Sequence, residues 1–255
     1  MSSTSTTVLI TGGNSGIGKG LVAAYLALPS HTVIAAVRNP ARADAQALAS
    51  LPKAEDSNLV VLQISDGASA SAIASGISTL KSDHGINKLD IVIANAGHGD
   101  LSPKLIDTPV FEIQKVIEIN AYGPFELFKA TLPLLRHSEC AKFCYISSLG
   151  GSLTSMNNVA NLAPYGASKA LANFLFKWLS LDIKDVVIWA QHPGSVRTTM
   201  GQMGFEALKD LGIDMSPYII SLEESVGGIQ KVIKEADGGN AHGKFLGPDG
   251  AEIPW

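Results

Sequence analysis

The sequence of 255 residues has few of the features that mark secreted, membrane-spanning or nucleic-acid-binding proteins. It has only two cysteines, Cys140 and Cys144, too few for a disulfide framework, and no neighbouring histidine or second pair predicts a metal site. No apolar run approaches the ~18 residues of a membrane helix, and the first residues lack the basic and apolar stretches of a secretory signal. We therefore expect a cytosolic protein without metal, structural disulfide or membrane contact.

Charge is also scarce, because charged residues make up 16% of the chain and the net charge is −4 at pH 7. This balance gives no broad basic surface for a nucleic-acid backbone, so no nucleic-acid partner is expected. Hydrophobic residues make up 46% of the sequence, which is typical of a compact protein that packs helices against a sheet. The length fits one α/β domain, and no linker divides the chain.

Short apolar segments rich in β-branched residues alternate with longer segments of helical periodicity. The first pairs are TVLIT with a helix over 16–28, TVIAAV with a helix over 41–51, and NLVVLQI with a helix over 68–84. DIVIAN, KFCYIS, VVIWAQ and GKFLG follow, with helices over 108–137, 164–182 and 221–235. Strands that are apolar on both sides predict a parallel sheet covered by helices on both faces. The expected fold is α/β, a doubly wound (Rossmann-type) parallel sheet of about seven strands in a single domain over residues 1–255.

A glycine-rich segment, TGGNSGIG, follows the first predicted strand and leads directly into a helix. Ligands of doubly wound sheets bind beyond the carboxyl ends of the strands, and a glycine loop before a helix lets a pyrophosphate approach the backbone closely. The sequence therefore predicts a nucleotide cofactor at this loop. Its expected contacts there are Gly12, Asn14, Ser15, Gly16, Ile17 and Gly18.

The tip of the second predicted strand indicates which nicotinamide cofactor binds. An acidic side chain at this position would accept a hydrogen bond from the ribose 2′-hydroxyl of NAD, but TVIAAV ends in Val37 and Arg38. An arginine can pair with the 2′-phosphate of NADP through a charge-assisted fork. Arg38 therefore favours NADP(H) over NAD(H).

Tyr165 and Lys169 lie four residues apart on a predicted helix, so both side chains emerge from one face. A phenol with a reference pKa of ~10 exchanges protons poorly at neutral pH. A nearby ammonium stabilises the phenolate and lowers the phenol pKa toward the working range. We expect Tyr165 to give a proton to a substrate oxygen while Lys169 keeps the phenol acidic.

The glycine spacing TGxxxGxG, followed by NAG, ISS, YGASK and PG, resembles the short-chain dehydrogenase/reductase superfamily over most of the chain. The resemblance implies an oxidoreductase that transfers a hydride between NADPH and a small-molecule carbonyl substrate. It also implies assembly as a homodimer or homotetramer. The catalytic residues that it implies are Asn120, Ser148, Tyr165 and Lys169.

The same resemblance implies further cofactor contacts. Asn95 and Gly97 of the NAG segment would close the pocket around the adenine and its ribose. Asp66 matches an acidic position that faces the adenine, although a solvated loop carboxylate is the alternative. Val196 and Thr198 would meet the nicotinamide carboxamide, and Lys169 would also hold the ribose hydroxyls of that half.

Two of the catalytic assignments have alternatives. Ser148 ends the KFCYIS strand as the family serine does, but Ser152 lies at the more usual sequence distance from the tyrosine. The strand-end position favours Ser148. Asn120 would position a water that relays protons between Lys169 and solvent, or it satisfies backbone groups within a helix; both roles are compatible.

Two apolar segments predict the substrate walls. In relatives the region 199–218 forms a lid, and its adaptable side chains predict a hydrophobic, polyketide-like ketone, although ordinary helix packing explains them equally well. The loop 149–164 would form the opposite wall. The apolar lid residues are Met200, Met203, Phe205, Leu208, Leu211, Ile213 and Met215, and the loop carries Met156, Asn157 and Asn158.

The segments ISSLGGS, APYGASK and DGAEIPW resemble fungal ketoreductases of secondary metabolism, such as norsolorinic acid ketoreductase. The resemblance suggests a substrate class without naming a substrate. Two other functions fit the same fold: an imine or activated-alkene reductase, and a non-catalytic NADP-binding protein. The complete catalytic set argues against the second, since a protein that only binds has no use for a phenol beside an ammonium.

Overall fold

The computed structural model describes residues 5–156, 161–210 and 212–255, and these ranges contain nine strands. The strands are β1 (Thr6–Thr11), β2 (His31–Val37), β3 (Asn58–Gln63), β4 (Ile91–Ala94), β5 (Lys142–Ile146), β6 (Val187–Gln191), β7 (Ser195–Val196), β8 (Ile219–Ile220) and β9 (Phe245–Leu246). Seven of them form a parallel sheet in the order β3-β2-β1-β4-β5-β6-β9. β7 and β8 pair separately, also in parallel. The predicted doubly wound α/β fold is confirmed.

Helices cover both faces of the sheet. They are α1 (Gly16–Leu26), α2 (Ala43–Gln46), α3 (Ala70–Ser82), α4 (Val110–Ile117), α5 (Gly123–Leu135), α6 (Ala163–Asp182), α7 (Thr199–Asp210) and α8 (Leu222–Glu235). The helix expected over 41–51 is shorter, because α2 passes into a 3-10 turn that ends before Leu51. Leu51 has extended backbone angles, as expected for a residue before a proline. Within the described ranges, no helix has the length and apolarity to cross a membrane.

The long helix expected over 108–137 is interrupted by a π-helical turn, Glu118–Tyr122, between α4 and α5. The physical reason is Pro124, which has no amide hydrogen to donate to the carbonyl four residues earlier. That carbonyl belongs to Asn120, and it accepts a hydrogen bond of 2.9 Å from the Tyr145 hydroxyl instead. The break in the helix therefore joins this turn to β5 in the sheet.

The core has two layers because side chains alternate across each strand. On one face of the sheet, Leu9 and Ile34 pack with aromatic residues of α5, β5 and α6. On the other face, Val8, Ile10 and Trp189 pack against α1 and α8. Both cysteines are unpaired, and Cys144 is buried within this second layer.

The order of the strands positions the functional site. β1 pairs with β2 on one side and β4 on the other, so the chain crosses between the two halves of the sheet at this point. Such a switch leaves a crevice beyond the carboxyl ends of the strands. The glycine loop after β1 and the NAG segment after β4 lie side by side there, since Asn95 donates from its backbone and its side chain to Thr11.

We predict that Ile34→Ala destabilises the protein by about 2–5 kcal/mol, because Ile34 is fully buried in the centre of β2 and its truncation leaves a cavity. Ile106→Ala is the matched control, since Ile106 is 89% exposed and its truncation changes stability by less than about 0.5 kcal/mol. Urea unfolding of the two variants measures both values. Equal losses of stability in the two variants would contradict the burial of Ile34 in the core.

Candidate active site

A cavity of about 2450 Å³ lies beyond the carboxyl ends of the strands. Nearly all residues that the sequence predicts as functional line it. The predicted cofactor contacts on its wall are Gly12, Asn14, Ser15, Gly16, Ile17, Arg38, Asp66, Asn95, Gly97, Tyr165, Lys169, Val196 and Thr198. Ser148 lines it as well, whereas Gly18, Asn120 and Ser152 do not.

The glycine loop leaves room for a ligand, because its backbone adopts conformations that glycine takes readily and that residues with side chains rarely take. Gly12 and Gly16 have φ values of +65° and +49°, in the left-handed region. Gly18 was expected to contact the cofactor, but it is buried, and a Cβ atom there would collide with the Gly12 carbonyl. The requirement for glycine at Gly18 therefore comes from packing of α1 against the loop.

A polar cluster closes the far end of the cavity, near the tip of β2. The Asp44 carboxylate accepts a hydrogen bond of 3.0 Å from the Asn14 amide and pairs with the Arg42 guanidinium at 3.2 Å. The Arg42 guanidinium holds the pKa of Asp44 below its ordinary value. The Asn14 amide, predicted as a cofactor contact, thus joins the glycine loop to α2.

Sequence reasoning missed Arg42 and Asp44, which both line the cavity beside Arg38. A second arginine four residues after Arg38 was the available signal. Arg38 itself is exposed, and none of the ion pairs among the described residues includes it. Asp66 is also exposed and accepts the Ala68 amide in a tight turn, so it is a loop carboxylate that also faces the cavity.

Tyr165 and Ser148 both lie on the cavity wall, and the Ser148 side chain is close enough to act on the Tyr165 hydroxyl as a hydrogen-bond partner. β5 ends just before Ser147 and Ser148, and α6 begins at Ala163 with Pro164 in its first turn, which suits a helix start. Burial raises the pKa of Tyr165, and the hydrogen bond with Ser148 partly offsets the rise. The expectation that this pKa is lowered toward the working range is therefore wrong for this structure, because desolvation is the largest effect on the phenol.

Lys169 is only 3% exposed, and its amine is enclosed by protein groups. Nζ donates a hydrogen bond of 2.8 Å to the carbonyl of Ile146, the last residue of β5. It also lies 4.7 Å from the ring centre of Tyr145 and 5.7 Å from that of Tyr165. Burial lowers the pKa of Lys169 to about 7, so the amine exchanges its proton near neutral pH.

The side chain of Asn120 joins three segments behind the cavity. Oδ1 accepts the His98 amide at 2.8 Å, and Nδ2 donates to the His98 carbonyl at 2.7 Å and to the Ser168 hydroxyl at 3.0 Å. A Cβ atom at Gly97 would lie 3.2 Å from Oδ1, so the glycine leaves little room beside the Asn120 side chain. These contacts match the expectation that Asn120 satisfies backbone groups.

The neighbouring serines point elsewhere. The Ser147 hydroxyl donates to Asn173 at 2.6 Å and is buried, as alternation along a strand predicts. The Ser152 hydroxyl is also buried and donates to the Pro254 carbonyl at 2.7 Å. Of the two candidate serines, Ser148 is therefore the one that meets Tyr165.

Apolar side chains from both predicted substrate walls meet in the same cavity. Its lining includes Leu149, Leu153 and Met156 from one wall and Met200, Phe205, Leu208, Ile213 and Met215 from the other. The predicted wall residues Asn157, Asn158 and Leu211, together with the side chain of Met203, lie outside the described parts of the chain.

Comparisons with known proteins identify the family of the chain. The family model described as short chain dehydrogenase matches residues 6–208. A short chain dehydrogenase of Penicillium aethiopicum is 52% identical, over 98% of this chain and 99% of its own. A norsolorinic acid ketoreductase of Dothistroma septosporum is 38% identical, over 98% and 92% of the two chains.

Among solved structures, an NADPH-bound carbonyl reductase from chicken fatty liver superposes with a TM-score of 0.86 at 27% identity. The match covers 99% of this chain and 100% of that one. The family model alone spans well over half of the sequence. The chain therefore belongs to the short-chain dehydrogenase family of oxidoreductases.

Proposed function

We propose that the protein is an NADPH-dependent carbonyl reductase that converts a ketone or aldehyde to an alcohol, and that the same residues serve the reverse oxidation. The observation that carries this proposal is the contact of the Tyr165 and Ser148 hydroxyls on the cavity wall, with the Lys169 amine behind the same tyrosine ring. The glycine loop opens into the same cavity. Membership of the family and the ketoreductase relatives support the reaction class.

The residues of the cavity fit a dinucleotide. At Gly12 and Gly16 no side chain fills the space beside the loop, so a ligand can approach the backbone closely. The backbone amides at the start of α1 favour binding of a pyrophosphate there. Arg38 and Arg42 would hold the 2′-phosphate, while Lys169, Val196 and Thr198 would hold the nicotinamide half. Asp66, Asn95 and Gly97 would line the adenosine side. When bound, NADPH supplies the hydride that reduces the carbonyl carbon.

The side chains of the chain itself handle the proton. Ser148 donates a hydrogen bond to the carbonyl oxygen, and Tyr165 transfers its hydroxyl proton to that oxygen as negative charge develops on it. Lys169 supplies positive charge behind the ring during this transfer when its amine is protonated, which at a pKa of about 7 holds for only part of the protein at neutral pH. Asn120 keeps the His98 segment and α6 in register, so that the tyrosine stays beside the serine.

We propose a hydrophobic, polyketide-like substrate from secondary metabolism. Apolar side chains on both walls, among them Leu153, Met156 and Met200, remain accessible at the cavity. Such a lining suits a large aromatic or aliphatic ketone. The relative named norsolorinic acid ketoreductase acts, by its name, on a substrate of this kind, which supports the proposal.

We further propose that the protein forms a homodimer or homotetramer through α4 and α6. Large apolar side chains on these helices are exposed, including Phe111 at 66% on α4 and Phe174 and Trp178 at 61% and 55% on α6. A patch of this kind usually marks an interface. A single domain and a cytosolic location, both expected from the sequence, stay predictions.

Tyr165→Phe is predicted to lower the rate of carbonyl reduction by about 10²–10⁴, because the proton donor is lost. NADPH binding changes little, since the ring remains. The measurement is NADPH oxidation with a panel of ketones, aldehydes and cyclic imines, together with NADPH affinity by fluorescence. Tyr122→Phe, outside the cavity lining, is the control. Retained turnover by Tyr165→Phe would refute the proton donor, and wild-type turnover with imines alone would make the protein an imine reductase.

Arg38→Asp is predicted to shift cofactor preference from NADPH toward NADH by about tenfold or more, because a charge-assisted contact with the 2′-phosphate becomes a repulsion. The ratio of kcat/KM for the two cofactors measures the shift. Arg136→Asp is the control, because Arg136 pairs with Asp185 and does not line the cavity. An unchanged ratio in Arg38→Asp would exclude Arg38 from the 2′-phosphate site.

Lys169→Met is predicted to change how the free energy of unfolding depends on pH. The unfolded chain keeps the Lys169 proton up to a pH of ~10.4, whereas the folded protein releases it at a pKa of about 7. The unfolded state therefore binds more protons between these values, and wild-type stability relative to Lys169→Met rises with pH by up to about 1.4 kcal/mol per unit. Urea unfolding at pH 6, 7.5 and 9 measures the difference, and a constant difference would contradict the buried, shifted amine.

A further inference from the structure

His192 stands between β6 and Pro193, lines the cavity, and has no role in the reaction described above. Its backbone amide donates to the Leu246 carbonyl at 2.7 Å, so the position of the residue is fixed by the sheet edge. Its ring nitrogen Nδ1 accepts a hydrogen bond of 3.2 Å from the amide of Leu149. Because Leu149 directly follows Ser148, the imidazole lies against the turn that carries the serine of the site.

This contact decides where the imidazole carries its hydrogen. Burial lowers the pKa of His192 to about 4, so the ring is neutral at physiological pH. A neutral imidazole has one donor and one acceptor nitrogen, and Nδ1 is the acceptor because it faces an amide hydrogen. The hydrogen is therefore on Nε2.

The described part of the protein leaves the Nε2 donor of His192 unpaired. Among the described residues, His192 Nε2 has no hydrogen-bond partner, and the only fully buried side-chain nitrogen or oxygen without one is Nε2 of Gln230. The Nε2 atom of His192 therefore keeps accessible surface. Since His192 lines the cavity, that surface is available to a bound molecule.

We propose that His192 is a specificity-determining residue whose Nε2–H donates a hydrogen bond to a second oxygen of the substrate, next to the carbonyl that is reduced. The inference rests on the proposed carbonyl reduction and narrows its substrate class. Ser148 and Tyr165 take the reacting oxygen, and His192 adjoins them through Leu149. The favoured substrates are ketones with a second acceptor oxygen close by, such as 1,3-diketones and ketones with an adjacent ether or phenol oxygen.

The substrate is a better partner for this donor than the cofactor. The Nδ1 edge of the ring faces the 149–151 turn, which belongs to one substrate wall, so the imidazole lies beside that wall. Val196 and Thr198, the residues proposed for the nicotinamide carboxamide, lie on the chain beyond Gly194. A donor that binds the carboxamide would alter NADPH affinity, whereas a donor that binds substrate would not.

The tautomer can be tested without turnover. Long-range ¹⁵N–¹H NMR of histidine-labelled protein, with His192 assigned through the His192→Asn variant, is expected to show a neutral ring protonated on Nε2 between pH 5.5 and 8. A ring protonated on Nδ1, or a charged ring at pH 7, would overturn the inference.

The substrate contact can be tested with two ketones of the same skeleton. 2,2-Dimethyl-1,3-indanedione and 2,2-dimethyl-1-indanone differ in the second carbonyl, and neither forms an enol at the blocked carbon. Calorimetry with the NADP⁺-loaded protein measures affinity, and kcat/KM with NADPH measures turnover. We expect wild type to prefer the dione by about three- to tenfold, the size of one neutral hydrogen bond.

Three variants distinguish the effect of the Nε2 donor from the effect of the contact with the Leu149 amide. His192→Asn keeps an acceptor for the Leu149 amide but removes the Nε2 donor, so the preference for the dione disappears while NADPH affinity is unchanged. His192→Gln restores a donor at that distance and recovers part of the preference. His137→Asn, which changes an exposed histidine outside the cavity lining, is the control.

Each outcome decides the inference. Equal affinities of wild type for the two ketones, an unchanged preference in His192→Asn, or a loss of NADPH affinity in that variant would overturn it. Failure of the proposed function gives a different result: wild type binds the ketones but reduces neither, and the calorimetric preference then still tests the Nε2 contact alone.

Discussion

The candidate active site depends on one buried amine. Placing the Lys169 amine out of water is costly, and the cost is limited by the Ile146 carbonyl and by the faces of two tyrosine rings. Because Ile146 ends β5, this hydrogen bond ties α6 to the strand that delivers Ser148. A Cβ atom at Gly151 would lie 2.7 Å from the Lys169 Cβ, so the turn after the serine also packs closely on the lysine. Lys169 therefore links the helix that carries Tyr165 to the strand end and the turn on either side of Ser148.

The π-helical turn between α4 and α5 supports the same arrangement. Pro124 frees the Asn120 carbonyl for Tyr145, whose ring in turn faces the Lys169 amine. The Asn120 side chain holds the His98 backbone and Ser168. One residue at the π-helical turn therefore connects the sheet, the NAG segment and α6, the helix that carries the tyrosine.

The fold, the glycine loop and the pair Tyr165 and Lys169 could be predicted because each is encoded by local spacing. Burial decides the direction of the Tyr165 pKa, and burial depends on contacts far apart in sequence, so that expectation was wrong. The hydrogen bond between Ser152 and Pro254 spans 102 residues and no local pattern predicts it. The only local signal of the π-helical turn is Gly123 and Pro124, and the hydrogen bond between Asn14 and Asp44 depends on how α2 packs against the glycine loop, 30 residues away in sequence.

The most direct measurement is a crystal structure of the protein with NADP⁺ and a ketone. We expect the Tyr165 hydroxyl about 2.6–3.2 Å from the ketone oxygen, with Ser148 on the same oxygen. The carbonyl carbon should lie about 3–3.5 Å from C4 of the nicotinamide. A nicotinamide ring bound away from Tyr165, or a ketone whose oxygen contacts neither hydroxyl, would contradict the assignment.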